Sequence, residues 1–159
     1  MKTFELKRQQ FVPRPLTEVF QFFERPENLS VITPPWLGFR ILTPSPVRME
    51  EGAVIEYSIR VMGVRMRWKS RISVYDPPHA FADEQLEGPY DFWHHTHSFV
   101  EGEGGTLIVD EVRYAMPFGV LGILLHYLVV QSQLQRIFTH RATAIAQKFG
   151  ETDPLSELM

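Results

Sequence analysis

Residues 119–149 restrict the possible folds of this chain more than any other segment. We predict one long helix there, because apolar residues recur with the 3.6-residue period of an α-helix. The apolar side of this helix carries Leu124, Tyr127, Leu134, Phe138, Ala142, Ile145 and Phe149. A helix of this length must bury that side, and a short helix is not broad enough to cover it. We therefore expect a sheet packed against one long C-terminal helix.

Gln131 is the exception on this apolar side. It lies between Tyr127 and Leu134, where a filled interior would favour leucine. Buried amides are normally hydrogen-bonded. Gln131 is therefore either a satisfied polar residue or the mark of a cavity between helix and sheet.

The residues before the long helix alternate between apolar and polar side chains, as strands do. The first strand is predicted over residues 3–12, and Pro15 is well placed to begin a helix that ends at Pro26. A second short helical turn is expected over residues 27–32. Two short helices thus follow the first strand.

A β-hairpin is predicted around Gly63 and Val64, because a two-residue turn favours glycine in its first position. Pairing across this turn sets Tyr57 opposite Ser70. The outer face of the second strand then carries Arg65, Arg67, Lys69 and Arg71. Since the chain has a net charge of -3, we interpret this basic stripe as a solvated face and not as a docking site for anions.

Three histidines lie close together in one predicted strand, residues 90–100. Alternation places Trp93, His95, His97 and Phe99 on the face toward the helix. The next strand, residues 106–116, returns across a loop at residues 102–105. Counting back across that loop sets His97 opposite Asp110, so these two side chains are expected to form a pair.

Composition narrows the class of protein. The length predicts a single domain over residues 1–150, with a disordered tail at 151–159. The absence of cysteine excludes disulfides and thiolate chemistry, and the acidic net charge argues against nucleic-acid binding. The N-terminal residues show no signal peptide, so a cytoplasmic location is expected. The most apolar run, residues 118–130, is too short for a bilayer span of roughly 20 residues.

The order of these elements is similar to the helix-grip fold of the START and Bet v 1-like superfamily, also called SRPBCC or polyketide cyclase/dehydrase-like. The resemblance is carried by residues 15–20 with 26–28, by Gly88 and Pro89 leading to residues 93–99, and by residues 114–117 leading to 134–138. It implies an α+β fold in which a curved antiparallel sheet of about seven strands wraps around the long helix. It also implies a deep cavity for an apolar ligand such as a lipid, quinone, sterol or polyketide. Only some members are enzymes, so the resemblance does not decide the function.

The favoured function is binding or transport of a small apolar molecule in that cavity. Aromatic walls with a few convergent polar groups are typical of a ligand pocket. The predicted ligand-binding residues are Tyr57, Trp68, Phe81, Asp83, Gln85, Trp93, His95, His97, Asp110, Val112, Tyr114, Tyr127 and Gln131. For each aromatic residue, a place in a filled core is the alternative.

Two other site types fit some of the same residues. An enzyme of the cyclase, dehydrase or hydrolase type would use His97 and Asp110 as an acid–base pair. A metal site would use His95 and His97, with Asp83 or Asp110 as a third ligand. Paired histidines on a strand are more often structural, so we expect no bound metal ion and no cofactor.

The long helix also suggests a partner surface. Leu121, Leu125 and Val129 recur every four residues on the side away from Tyr127 and Leu134. An exposed apolar strip usually marks an interface. We expect either a homodimer or a transient membrane contact there.

Overall fold

The computed structural model describes residues 1–150, and the predicted disordered tail at residues 151–159 lies outside the described residues. Seven strands form its sheet: β1 (Phe4–Val12), β2 (Arg40–Ile41), β3 (Val54–Val61), β4 (Val64–Asp76), β5 (Ala80–Glu87), β6 (Phe92–Gly102) and β7 (Gly105–Ala115). Helices α1 (Leu16–Phe23) and α2 (Leu29–Ile32) follow β1, and short 3₁₀ turns lie at Pro26–Asn28 and Pro35–Leu37. Helices α3 (Gly119–Leu125) and α4 (Gln131–Phe149) are joined by a π-helical turn, His126–Val130.

The sheet is open and entirely antiparallel, with the strand order β1-β7-β6-β5-β4-β3-β2. The continuous helical segment from α3 through α4 packs on one face of it. The inward side chains of β4, β6 and β7 form a common core with Val130, Leu134 and Phe138 of this segment. This architecture confirms the predicted helix-grip fold.

The pairing of β6 with β7 follows the predicted register. His97 lies opposite Asp110, and Trp93 lies opposite Tyr114. The strands continue pairing as far as Gly102 and Gly105, so the connection is a two-residue turn and not the predicted four-residue loop. The register is unchanged because both strands lengthen together.

The turn of the β3–β4 hairpin differs from the prediction. It is formed by Met62 and Gly63, whose φ angles are +51° and +80°. Positive φ at both central residues is the geometry of a type I′ turn, which favours glycine in the second position. Tyr57 consequently pairs with Trp68, and the predicted pairing of Tyr57 with Ser70 is wrong. The shift is two residues, so every side chain keeps its predicted face.

The long helix is present over its full predicted length, but its first half is rotated relative to the prediction. A π-helical turn contains more residues per turn than an α-helix. The buried residues Gly122, His126, Val130 and Leu134 therefore recur every four positions. Leu124 and Tyr127, predicted to be inward, are 53% and 55% exposed. After the π turn, Leu134, Phe138, Ile145 and Phe149 are buried as predicted.

The rotated half of the helix is fixed by three close contacts. A 2.7 Å hydrogen bond joins His126 Nε2 to the Tyr114 hydroxyl, and the His126 ring stacks on Phe4 at 3.5 Å. Gly122 approaches the carbonyl of Pro117 so closely that a Cβ atom there would lie 1.8 Å from that oxygen. The His126 contacts hold the first half of the helix on β1 and β7, and the Gly122 contact packs its start on the preceding Pro117. No helix among residues 1–150 is both long and apolar enough to span a bilayer.

Candidate functional site

A cavity of about 580 Å³ lies between the sheet and the long helix. Aromatic and aliphatic side chains form most of its wall, among them Tyr57, Trp68, Phe81, Trp93, Leu134 and Phe138. Typical small-molecule sites have volumes of roughly 300–1,000 Å³. The enclosed space is therefore large enough for a small ligand.

The structure places the predicted ligand-binding residues in three locations. Those that line the cavity are Tyr57, Trp68, Phe81, Asp83, Trp93, His95 and His97. Asp110, Val112 and Tyr114 are buried in β7 without lining it, and Gln85 instead donates a 2.7 Å hydrogen bond to the backbone carbonyl of Tyr90. Tyr127 and Gln131 lie on the exposed side of the helix because of the π turn, so their predicted place in the cavity is wrong.

One part of the wall carries a cluster of titratable side chains from four elements. It consists of Asp83 on β5, His95 and His97 on β6, Asp110 on β7 and Arg141 on α4, and is called the polar cluster below. All of these except Asp83 are less than a tenth exposed, and the Asp83 side chain is 19% exposed. Buried charges persist only when they are paired, and the cluster pairs each of them.

Hydrogen bonding within the polar cluster runs diagonally across the strands. His95 Nε2 lies 2.8 Å from Asp110 Oδ1, and His97 Nε2 lies 2.8 Å from Asp83 Oδ2. His97 Nδ1 is 3.5 Å from Asp110 Oδ1, so the predicted His97–Asp110 pair is only a secondary contact. Strand β5 lies on the other side of β6 from β7 and supplies Asp83, whereas the predicted pair took its carboxylate from β7. The two imidazole rings stack at 3.7 Å.

Arg141 belongs to the site and was not predicted from the sequence. Its Nη2 atom lies 3.4 Å from Asp110 Oδ1 and 3.5 Å from His97 Nδ1. Its guanidinium also lies over the rings of Phe23 and Phe138. A signal was available, because Arg141 follows Phe138 by three positions on the same side of the helix. The predicted apolar side of the helix did not include it.

The environment of the cluster fixes its charges. Burial lowers the pKa of His97 to about 4, helped by the neighbouring His95, and the hydrogen bond to Asp83 offsets this only in part. His97 is therefore neutral at neutral pH, donating from Nε2 to Asp83. Burial acts to raise the pKa of Asp110, but Arg141 and His95 outweigh it and hold that pKa well below its ordinary value. Burial opposes ionisation of Asp83 too, but the bond to His97 and the nearby charges together lower its pKa.

The residues considered for a metal site lie together. Ligand atoms of Asp83, His95 and His97 are within 4.8 Å of one another. Imidazole nitrogen and carboxylate oxygen suit divalent transition metals. These side chains already have partners, since His97 bonds to Asp83 and His95 bonds to Asp110, and the Arg141 cation lies beside them. The arrangement is thus complete without an ion, and the expectation of no bound metal stays a prediction.

The first half of the long helix presents a continuous exposed apolar surface. It consists of Val120, Leu121, Leu124, Tyr127 and Leu128, each more than half exposed, and is called the apolar strip below. The predicted strip of Leu121, Leu125 and Val129 is wrong in phase, because Leu125 lines the cavity and Val129 is half-buried. The π turn accounts for this rotation.

The cavity opens beside the apolar strip. Met62 at the tip of the β3–β4 hairpin is 58% exposed, and Phe118 before α3 is 77% exposed. Both residues also line the cavity, as does the exposed Arg60. The opening is therefore formed by a hairpin tip on one side and the start of the long helix on the other.

Comparison with known proteins identifies the family. The family model for polyketide cyclase/dehydrase and lipid transport matches residues 12–141. No curated protein sequence matches the chain significantly.

Solved structures share the fold at low sequence identity. Protein TTHA0849 from Thermus thermophilus is 18% identical, with a TM-score of 0.64 over 91% of this chain and 98% of its own. Major latex-like protein 151 from Panax ginseng is 14% identical, with a TM-score of 0.67 over 92% and 97% of the two chains. The di-domain ARO/CYC protein BexL from the BE-7585A biosynthetic pathway is 19% identical, with a TM-score of 0.68 over 96% of this chain and 51% of its own. With a family model that covers most of its length and this shared fold, the chain belongs to the polyketide cyclase/dehydrase and lipid transport family.

Proposed function

We propose that this protein binds and carries a small, mainly apolar molecule in the cavity between its sheet and its long helix. The observation that carries the proposal is a cavity of about 580 Å³ with aromatic walls and a buried polar cluster. Such a space removes apolar surface from water and orients the ligand through a few polar contacts. The relatives support it, since the family description includes lipid transport and BexL is named as an ARO/CYC protein of a biosynthetic pathway.

The expected affinity is moderate. A drug-sized ligand gains about 0.3 kcal/mol per non-hydrogen atom, so one of about 25 such atoms binds with about 7.5 kcal/mol. That free energy corresponds to a Kd of a few micromolar. An affinity in this range suits a carrier that must also release its ligand.

Native mass spectrometry of the purified protein, beside a denatured extract of the same sample, tests the proposal. The expected result is an apolar molecule that is present with the native protein and released on denaturation. Protein that carries no such molecule and takes up none from a lipid and quinone extract of its host would contradict carriage.

The enzymatic alternative is less well supported by the geometry. A general base must present a free nitrogen to its substrate. Both ring nitrogens of His97 have partners, Asp83 at Nε2 and Arg141 at Nδ1. Its lowered pKa of about 4 also makes it a weak base. The predicted acid–base role of His97 with Asp110 is therefore not the function that we favour.

We also propose that the apolar strip contacts a membrane surface, from which the ligand enters the cavity. Residues 116–130 contain no Asp, Glu, Lys or Arg, so no charged side chain of this segment opposes contact with lipid. Exposed apolar side chains of this kind suit the interface of a bilayer. The basic stripe of β4 stays a solvated face, since Arg67, Lys69 and Arg71 pair with Glu56 and Glu84. The cavity opens between residues 116–130 and the β3–β4 hairpin, so a ligand would pass from lipid to protein without crossing water.

A further inference from the structure

Three arginine side chains lie together on the sheet, beside the opening of the cavity. They are Arg40 on β2, Arg60 on β3 and Arg65 on β4, and are called the arginine cluster below. We propose that the arginine cluster binds a phosphate group, carried either by a lipid head group or by a small soluble molecule. The proposed site lies on the outer face of the sheet, so it is separate from the cavity and does not depend on ligand carriage there.

Strand pairing brings the three arginines to one face of the sheet. Arg60 lies directly opposite Arg65, and Arg40 lies opposite Ser58, which precedes Arg60 by two residues. Residues two apart on a strand share a face. The intervening Ile59 lines the cavity, so Ser58 and Arg60 belong to the outer face. The register therefore places three positive charges side by side near the β2 edge of the sheet.

Hydrogen bonds hold one member of the arginine cluster in place. Arg65 Nη1 donates to the backbone carbonyl of Gly38 at 3.1 Å and to Ser58 Oγ at 2.7 Å. A Cβ atom at Gly38 would lie 3.0 Å from Arg65 Nη2 and 3.4 Å from Arg60 Nε. Both guanidinium groups thus approach the same point beside Gly38. A ligand that binds there meets an arginine that is already ordered, which lowers the entropic cost of binding.

No carboxylate balances the charges of the arginine cluster. Residues 28–49 and 57–75 contain no Asp or Glu. The other three members of the basic stripe of β4 pair with Glu56 and Glu84. Within residues 1–150, by contrast, no acidic side chain forms an ion pair with a member of the arginine cluster. Arg65 is therefore the exception in the basic stripe.

The three charges repel one another in the free protein. Like charges directly opposite each other on neighbouring strands are destabilising, and Arg60 and Arg65 are such a pair. The pKa of Arg65 is lowered by desolvation and, after it, by the charges of Arg40 and Arg60. An anion bound among the three guanidinium groups would offset this repulsion.

The number of donors favours phosphate over carboxylate. A guanidinium group binds either anion through two parallel N–H bonds. A carboxylate has two oxygens and one charge, so a single arginine satisfies it. A phosphate monoester has three free oxygens and nearly two charges at neutral pH, so it can bind all three arginines. The net charge of -3 for the whole chain disfavours an extended polyanion such as nucleic acid.

The place of the arginine cluster makes a lipid head group the favoured source of the phosphate. Arg60 borders the cavity opening, and the exposed Met62 and Val64 lie at the tip of the same hairpin. Basic side chains next to exposed apolar ones suit the head-group level of a bilayer. Since the apolar strip borders the other side of this opening, a bilayer in contact with the strip lies near the arginine cluster as well.

An NMR titration that follows the arginine Nε–H signals tests the proposal with two soluble probes. Glycerol 3-phosphate carries a phosphate monoester, and glycerate carries a carboxylate on a chain of three carbons as well. We expect wild-type protein to bind glycerol 3-phosphate with a Kd of about 1 mM, as suits an exposed site held by ion pairs. Glycerate should bind at least about tenfold more weakly, because it satisfies fewer of the donors.

Two double variants separate the site from the overall charge. Arg40→Gln with Arg60→Gln removes two charges of the arginine cluster and leaves Arg65 with its hydrogen bonds. Arg48→Gln with Arg113→Gln is the control, because it removes two exposed charges elsewhere. Glycerol 3-phosphate should bind the cluster variant at least about tenfold more weakly than wild type, and the control should change less than about twofold. Circular dichroism checks that both variants are folded.

Cosedimentation with vesicles distinguishes the two sources of the phosphate. Phosphatidylcholine vesicles are compared with vesicles that also contain phosphatidic acid, whose phosphate is a monoester. If the source is a lipid head group, phosphatidic acid should raise wild-type binding about tenfold, and only the cluster variant should lose this gain. If the source is a soluble phosphate, glycerol 3-phosphate should bind as expected, whereas phosphatidic acid should give no gain that depends on the arginine cluster.

Two results of the NMR titration would overturn the proposal. One is that glycerol 3-phosphate binds wild-type protein no more tightly than glycerate does. The other is that the cluster variant and the control bind glycerol 3-phosphate equally, since the overall charge and not the arginine cluster would then attract the phosphate.

Discussion

The burial of a neutral histidine predicts how the stability of this protein depends on pH. His97 has a pKa of about 4 in the folded protein, whereas an unfolded chain gives a histidine pKa of about 6.5. The unfolded state therefore binds a proton more readily than the folded state between these two values. By linkage, this residue lowers the free energy of unfolding as the pH falls from about 6.5 to about 4.

The magnitude follows from the difference in pKa. A difference of about 2.5 units at about 1.36 kcal/mol per unit gives about 3 kcal/mol. Urea unfolding at a series of pH values, followed by tryptophan fluorescence, measures it. The matched variant is His97→Gln, whose side-chain amide can still donate to Asp83 but does not titrate. We expect wild-type protein to lose about 3 kcal/mol more than the variant over this pH interval.

The comparison with the variant removes the contribution of the other five histidines, because the chain has six and only His97 differs. Parallel pH profiles of wild type and His97→Gln would show that His97 titrates normally in the folded state. The neutral form of the buried His97 would then be wrong.

Four further predictions concern other parts of the structure. Asp83→Asn should lower the pKa of His97 in an NMR titration more than Asp110→Asn does, because Asp83 lies at 2.8 Å and Asp110 at 3.5 Å; equal shifts would refute the diagonal pairing. Leu121→Glu with Leu128→Glu should abolish cosedimentation with vesicles of phosphatidylcholine and phosphatidylserine, whereas Val100→Glu on the exposed face of β6 should not; loss of a dimer in place of vesicle binding would assign the strip to self-association. Gly122→Ala should lower the free energy of unfolding by about 2 kcal/mol or more, since its Cβ would overlap the Pro117 carbonyl, and a neutral result by thermal melting would show that Gly122 does not approach that carbonyl so closely. Elemental analysis of purified protein should give far less than one zinc or iron per chain, and a stoichiometric metal would reassign Asp83, His95 and His97 as ligands.

The sequence predicted the sheet side of the site better than the helix side. Alternation has a period of two, so the inward places of Trp93, His95 and His97 follow once one residue of β6 is assigned. The short connection to β7 then fixed the opposition of His97 and Asp110. In both cases the alternation of side chains and the length of one connection were sufficient to predict the positions of these residues.

The missed features depend on information that periodicity does not carry. The bond between His97 and Asp83 requires the register of β5 with β6, which nothing within either strand determines. The buried side of the long helix changes at the π turn. A projection at 3.6 residues per turn assumes an unbroken α-helix and therefore does not show this change. Arg141 was missed because arginine is seldom buried without a partner. Its partner, Asp110, lies on another element, and nothing in the helix sequence indicates that contact.

The turn of the β3–β4 hairpin was also predicted wrongly, again because alternation does not determine it. Alternation assigned the faces of β3 and β4 correctly, because a two-residue slip preserves parity. The choice between Gly63 as the first or the second turn residue depended on whether Met62 adopts a positive φ angle. Glycine content alone did not settle that choice.

The most direct test of whether the cavity binds ligand is a fluorescence titration with Nile red. It compares wild-type protein, a variant whose cavity is blocked and a control variant. Ile137 on α4 lines the cavity, whereas Gln147 on the same helix is exposed and does not. Ile137→Trp adds bulk inside the cavity, and Gln147→Trp adds the same indole outside it. Wild-type protein and Gln147→Trp should bind the dye with micromolar affinity, and folded Ile137→Trp should bind at least about tenfold more weakly. Equal binding by the folded variants would show that the dye, and by extension an apolar ligand, does not occupy the space between sheet and helix.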